Sequence, residues 1–175
     1  MDKEKILVID TETTGFDNRA EILQVSVMNG RGDVVMNEYF RPRFTRSWPG
    51  AEAVNHISPS MVEGKESFFD SRHRLEALFQ EAHLLVGYNL PFDLRMLRQN
   101  GAVIPRTVRC LDLMKPFAAT YGEPDRKYGG YKWQKLITCA GYYGYEGGGW
   151  HDSLADTKAT LFCFWKMVED GSVKI

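Results

Sequence analysis

The sequence predicts an α/β fold, a mixed central sheet flanked by helices, in one domain spanning residues 1–175. Three observations carry the prediction. The chain opens on an apolar run, "EKILVID" (4–10), which reads as a buried strand. Two more strand-like stretches follow before any helical pattern appears. From residue 71 onward, helical periodicity alternates with short apolar runs.

The elements follow in order. "EILQVSVMNGRGDVVMNEYF" (21–40) divides at the Gly-containing stretch Asn29–Asp33 into two strands, a hairpin beside the first strand. Residues 41–69 are polar, carry Pro42, Pro49 and Pro59, and read as loop. "SRHRLEALFQEA" (71–82) places Leu75, Leu78 and Phe79 at helical spacing, and "HLLVGYN" (83–89) is a short apolar strand. "NLPFDLRMLRQNG" (89–101) is a punctuated helix, with Asn89 as the expected N-cap, Pro91 in the first turn and Gly101 past the end. "TVRCLDL" (107–113) is another short strand, and a polar segment over 121–130 leads to a helix around Tyr131–Tyr143. "GYEGGGW" (144–150) precedes a last helix beginning near Ser153, with Leu161, Phe164, Trp165 and Val168 as its apolar bulk.

Composition narrows the function classes. The chain is 43% hydrophobic and 26% charged, which is ordinary for a soluble globular protein. No apolar run approaches the roughly 20 residues that cross a bilayer, and the N-terminus lacks a secretory pattern, so no membrane partner and a cytoplasmic location are expected. A net charge of −1 argues neither for nor against a nucleic-acid partner. Cys110, Cys139 and Cys163 are odd in number and set among apolar residues, so buried reduced thiols are expected.

The first strand ends in acid. Asp10 and Glu12 stand two positions apart, so in extended backbone both point to one face. Like charges placed together repel, and burying them requires an arginine, a proton or a metal ion. Asp93 falls in the first turn of its helix and Asp156 near the start of the last helix. An open α/β sheet gathers a site at such strand ends and helix N-termini. An Asp in a first turn also complements the helix dipole with no further role.

"DTETTG" (10–15), "YNLPFD" (88–93) and "HDSLAD" (151–156) resemble, in order and spacing, the three motifs of the DnaQ-like 3′–5′ exonucleases, the DEDDh branch of the ribonuclease-H-like superfamily. "AVNHISPSMVEGKESF" (53–68) resembles the segment such proteins carry between the third strand and the first helix. The resemblance runs from about Ile6 to Val168 and implies a ribonuclease-H-like sheet flanked by helices. It implies that Asp10, Glu12, Asp93 and Asp156 bind two Mg²⁺ or Mn²⁺ ions and that His151 is the general base. It further places Thr13, Thr14, Asn89 and Phe92 against the terminal nucleotide. Tyr88 departs from the pattern, standing where many relatives have His.

The chemistry suits those residue types. All-oxygen acidic ligands match Mg²⁺ or Mn²⁺ better than zinc. A His with an ordinary pKa near 6.5 can accept a proton at neutral pH. His73 and His83 read as surface or helix-end residues. Gly147 to Gly149, just before His151, permit either a tight turn or a flexible arm.

Basic and aromatic residues interleave in "RKYGGYKWQK" (126–135), which reads either as a nucleic-acid contact or as a solvated loop leading to a helix with a core Trp133. "RPRFTR" (41–46) carries the same two readings. The expected substrate is a single-stranded DNA or RNA 3′ end. Two alternatives stand beside it: a nuclease-like binding or proofreading subunit partnered with a DNA polymerase, and a phosphodiesterase acting on dinucleotides. A homodimer is the other partner arrangement that the resemblance suggests.

Overall fold

The computed structural model describes residues 2–175. Its five-stranded sheet has the order β3-β2-β1-β4-β5. Strand β1 (Ile6–Thr13) pairs antiparallel with β2 (Ile22–Asn29), which pairs antiparallel with β3 (Val34–Tyr39). On its other side β1 runs parallel to β4 (Leu84–Gly87), and β4 runs parallel to β5 (Arg109–Asp112). The expected mixed sheet is present, and β1 continues beyond Asp10, so both acids lie within the strand.

Alternation along β1 sorts the side chains between two helical layers. Leu7 and Ile9 join Val25, Val27, Leu75, Phe79 and Leu97 on one face. Ile6 and Val8 join Val86, Phe117, Phe164 and Met167 on the other. The first layer holds α4 (His73–Glu81) and α5 (Leu90–Gln99), and the second holds α6 (Met114–Tyr121), α7 (Leu136–Tyr142) and α8 (Ser153–Glu169). No helix among the described residues is long and apolar enough to cross a membrane.

Several expectations need correction. Residues 41–69 contain two short helices, α1 (Pro49–Asn55) and α2 (Pro59–Val62), and the start of a third, α3 (Phe68–Ser71). Pro49 and Pro59 open the first two, since a fixed φ and a missing N–H suit the first helical position. Helix α6 was unforeseen, and α7 is shorter than expected because residues 131–135 run outside it. Trp133 is 66% exposed and lies ahead of α7, so it is no core residue. Cys139 and Cys163 are buried thiols, but Cys110 is exposed at the sheet edge.

Buried Glu21 organises the segment leaving β3. Its carboxylate accepts the backbone N–H groups of Arg43, Phe44 and Thr45, the shortest at 2.6 Å. Three successive donors converging on one carboxylate fix the course of the loop, even though the Arg43 and Phe44 side chains are exposed. Glu21→Ala leaves these donors unpaired and is expected to cost about 2–4 kcal/mol in urea unfolding, with Glu21→Gln costing less. Equal stability of Glu21→Ala and wild type would refute this role.

Candidate active site

The second half of β1 carries the acids. Asp10 pairs across the sheet with Ser26, and Glu12 with Gln24. Each stays partly open to solvent. Carboxylate oxygens of Asp10, Glu12 and Asp156 all lie within 4.8 Å of one another. Among the described residues, no lysine or arginine forms an ion pair with any of these three or with Asp93. An arginine is therefore not what offsets the repulsion.

Electrostatics reflect that crowding. Burial, then the charges of Asp93, Glu12 and Asp156, hold the Asp10 carboxyl well above its usual range. Burial and Asp156 push Glu12 up to about 8, against a hydrogen bond from Asn55. Asp93 rises to about 7 and Asp156 to about 6, both mainly through burial, and His151 opposes the rise at Asp156. Oδ1 of Asp156 is buried with no hydrogen-bond partner. Oxygens that crowd together, lack cationic partners and leave one atom unsatisfied fit a hard divalent cation.

The N-terminal end of helix α8 is seated by a polar seam, while Phe164 and Met167 further along pack in the apolar layer. Gln24 and Ser26 project from β2 on the face that bears Asp10 and Glu12. Gln24 Nε2 donates to Asp152 Oδ2 at 3.1 Å, and Tyr39 OH donates to the same oxygen. The Ser26 and Ser153 hydroxyls lie 2.6 Å apart. Asp152 caps the helix by accepting Ala155 N–H at 3.0 Å. Asp156 follows one turn later, aimed at β1. His151 is exposed with a left-handed φ of 67°, inside a turn in which Asp152 N–H donates to Gly149 O. Gly147 and Gly148 lie ahead of this turn, and Gly149, which opens it, has a φ of 81° that favours glycine.

Asp93 belongs to the opposite layer. It is 3% exposed in the first turn of α5, and Thr11 Oγ1 donates to its Oδ1 at 2.7 Å. It lies outside the group whose oxygens meet within 4.8 Å, although its charge is felt at Asp10. Gly87, the last residue of β4, is packed closely under this helix: a Cβ would stand 2.9 Å from Leu90 Cδ1 and would require that side chain to shift. Asn89 does not cap α5 through its side chain, correcting that expectation. It adopts a φ of 65°, and its N–H donates instead to Asp112 Oδ1 at 2.8 Å. That leaves the exposed Asn89 amide clear of the helix.

The other residues expected at the terminal nucleotide have partners of their own. Thr13 is buried on the face opposite Glu12, its hydroxyl donating to Gly15 O at 2.6 Å. Thr14 Oγ1 accepts Glu21 N–H at 2.9 Å and keeps its own proton free to donate. Half-buried Phe92 packs against exposed Phe16, ring centroids 5.8 Å apart. Tyr88 is held by donation from its hydroxyl to Gln134 O at 2.9 Å. His73 and His83 are exposed away from this group, as expected.

Sequence reasoning missed the supports: Gln24, Ser26, Asn55 and Asp112. Asn55 Nδ2 donates to Thr13 O at 3.2 Å and steadies the end of β1. The available signal was Gln24 and Ser26 alternating within an otherwise apolar strand.

A mixed sheet flanked by helices, with acids gathered over the end of its central strand, defines a ribonuclease-H-like exonuclease fold. The chain belongs to the RNase_T exonuclease family, whose model matches residues 7–164. It is 31% identical to uncharacterized exonuclease CP81 of Escherichia phage 186, over 95% of this chain and 89% of that one. It is 29% identical to a DNA polymerase III subunit epsilon-like protein of Rhodobacter capsulatus, covering 96% of this chain but 24% of that protein. Among solved structures, exonuclease X in complex with 5′-overhanging duplex DNA superposes with a TM-score of 0.70 at 19% identity, covering 97% and 94% of the two chains. The zinc-bound complex of E. coli exonuclease I with single-stranded DNA gives 0.72 at 21% identity, covering 95% and 40%. At such identities the structural likeness establishes the fold.

The raised carboxyls set a pH dependence. A carboxyl whose folded pKa is raised holds its proton more tightly in the native state than in the unfolded chain. Without divalent ions, stability is therefore lost as pH rises from the unfolded carboxylate range near 4 toward the value of about 8 at Glu12. Asp10→Asn removes one charge from the group. In a chelator its melting temperature is expected to exceed that of wild type by a margin that widens over this window. A margin that stays constant with pH would contradict the carboxylate repulsion.

Proposed function

We propose that residues 1–175 form a single metal-dependent 3′–5′ exonuclease domain that removes nucleoside 5′-monophosphates from single-stranded DNA or RNA. The observation that carries this reading is the convergence of Asp10, Glu12 and Asp156 within 4.8 Å, with no lysine or arginine among the described residues paired to them. Family membership supports hydrolysis of nucleic acid, and the single-stranded and overhanging DNA bound by exonucleases I and X supports the substrate class.

In this reading Asp10, Glu12, Asp93 and Asp156 would hold two Mg²⁺ or Mn²⁺ ions. When bound, such ions supply positive charge against the charge that develops on the phosphate and leaving oxygen, and acidify water. The chain's own residues do the rest. His151, exposed beside Asp156, accepts the proton of the attacking water. That water's oxygen bonds to phosphorus as the bond to the 3′ oxygen of the preceding nucleotide breaks. Thr14, Asn89 and Phe92 position the terminal nucleotide through a free hydroxyl proton, an uncommitted amide and a ring face, while Thr13 contributes through its backbone. A DNA polymerase partner is a second reading, supported by the polymerase-subunit name of the Rhodobacter relative.

End-labelled linear oligonucleotides with Mg²⁺ or Mn²⁺ are expected to lose mononucleotides from a free 3′ hydroxyl. Chelator abolishes the reaction, and circular single strands are spared. Cutting of circles at a comparable rate would overturn the exonuclease polarity. Release of products from dinucleotides alone would favour the small-substrate alternative.

A pair of variants separates base from ligand. His151→Ala is expected to bind Mn²⁺ in calorimetry as wild type does, while turnover falls by about 10²–10⁴, the usual loss for a general base. Asp156→Ala is expected to bind Mn²⁺ weakly, because a carboxylate is gone. Equal loss of binding in both, or a wild-type rate in His151→Ala, would refute the assigned roles.

A further inference from the structure

The segment between α6 and α7 is an ordered lobe with an unusual surface. Pro124 and Tyr131 form an antiparallel bridge, and Asp125 N–H donates to Gly130 O at 3.0 Å. Asp125 Oδ1 accepts the N–H groups of Lys127 and Tyr128 at 2.9 and 3.0 Å. Lys132 N–H donates to Glu123 O, and the Glu123 carboxylate binds Lys132 Nζ at 2.6 Å and Gln134 Nε2 at 3.0 Å. The backbone is held in place by these bonds. Three large aromatics within six residues are nevertheless turned outward: Tyr128 is 78%, Trp133 66% and Tyr131 48% exposed. Single exposed aromatics need no explanation, but a cluster on a preorganised loop marks a contact surface.

Charge identifies the occupant. Both acids of the lobe are committed, Glu123 to Lys132 and Gln134, and Asp125 to backbone donors. Arg126, Lys127 and Lys135 form no ion pair among the described residues. Lys127 Nζ lies 4.7 Å from the Tyr128 ring centroid, so a cation and a stacking face are presented together. Free cations alternating with aromatic faces match a polyanion with unpaired bases, that is, a single-stranded nucleic acid. An acidic protein would use the cations and leave the rings unused.

The lobe is rooted at the active-site edge. Tyr88, directly before Asn89 and the helix bearing Asp93, donates its hydroxyl to Gln134 O at 2.9 Å. We propose that residues 124–135 grip the substrate strand upstream of the cut end, with bases stacking on Tyr128, Tyr131 and Trp133 and phosphates meeting Arg126, Lys127 and Lys135. This rests on the exonuclease reading and extends it, because the lobe serves strand length rather than the cleavage chemistry.

The test uses the full chain and two substrates, a dinucleotide and a single-stranded oligonucleotide of about 15 residues, a length on the scale of single-strand site sizes. Trp133→Ala and Tyr128→Ala are expected to raise KM for the oligonucleotide by about tenfold each, the scale of one lost stacking contact. Neither changes kcat or the dinucleotide KM, and Trp133→Phe restores the oligonucleotide KM. Lys127→Ala lowers the slope of log affinity against log salt by about 0.7, as expected for one phosphate on a single strand. Oligonucleotide binding by Asp10→Asn, followed by fluorescence anisotropy with and without Trp133→Ala, reads the lobe independently of turnover. If wild type hydrolyses nothing, the exonuclease reading fails while this measurement still decides the lobe. Unchanged oligonucleotide affinity in both aromatic variants overturns the proposal. So does equal impairment on both substrates, or competition by polyglutamate as strong as by the oligonucleotide.

Discussion

The structure is arranged around the mutual repulsion of carboxylates at the end of β1. Asp10 and Glu12 share a face because a strand alternates, and Asp156 is brought against them from α8. No lysine or arginine among the described residues is paired with them, so the protein carries the repulsion as raised carboxyl affinities for protons. A group of acids that prefers to be protonated is equally a group that gains from a divalent cation. The same crowding that destabilises the bare site thus supplies the driving force for filling it.

Holding such a group together requires restraint from both sides of the sheet. On one side Gln24, Ser26 and Tyr39 anchor Asp152 and Ser153, so that α8 cannot relax away and carry Asp156 with it. On the other, Thr11 fixes Asp93, and Asp112 fixes the turn that starts α5. Apolar packing alone would resist this repulsion without setting direction. Hydrogen bonds with defined donors and acceptors set both distance and orientation, which explains why a strand this deeply buried retains Gln and Ser.

Much of this was legible in the sequence because periodicity and short motifs are local. The β1 acids, the following hairpin, α5 and α8 were read from residues adjacent in the chain, and the motif order pointed to a single site. The supports were not legible, because their meaning depends on partners far along the chain. Ser26 reaches Ser153, and Asn89 reaches Asp112. Pro49 and Pro59 depart from the loop expectation for a different reason: a residue that ends a helix from within also begins one at its first position. Trp133 was equally ambiguous, since only the assembled fold shows that it points outward.

Backbone strain follows the site as well. The non-glycine residues with positive φ among those described are His56, Asn89 and His151. Such conformations cost on the order of 1 kcal/mol or more unless the surroundings hold them. His56 follows Asn55, which bonds the end of β1, and its own N–H donates to Glu52 O at 2.8 Å. Asn89 precedes the helix carrying Asp93 and is held by Asp112. His151 precedes the helix carrying Asp156, in a turn closed by Asp152 and Gly149. Each left-handed residue sits at a point where the chain must turn sharply to bring an element against β1. Asn and His tolerate this region better than most side chains, and they also offer polar groups where the chain bends toward the acids. Geometry that a regular turn would avoid is retained at these three positions, because relaxing any of them would move a support or an acid away from Asp10 and Glu12.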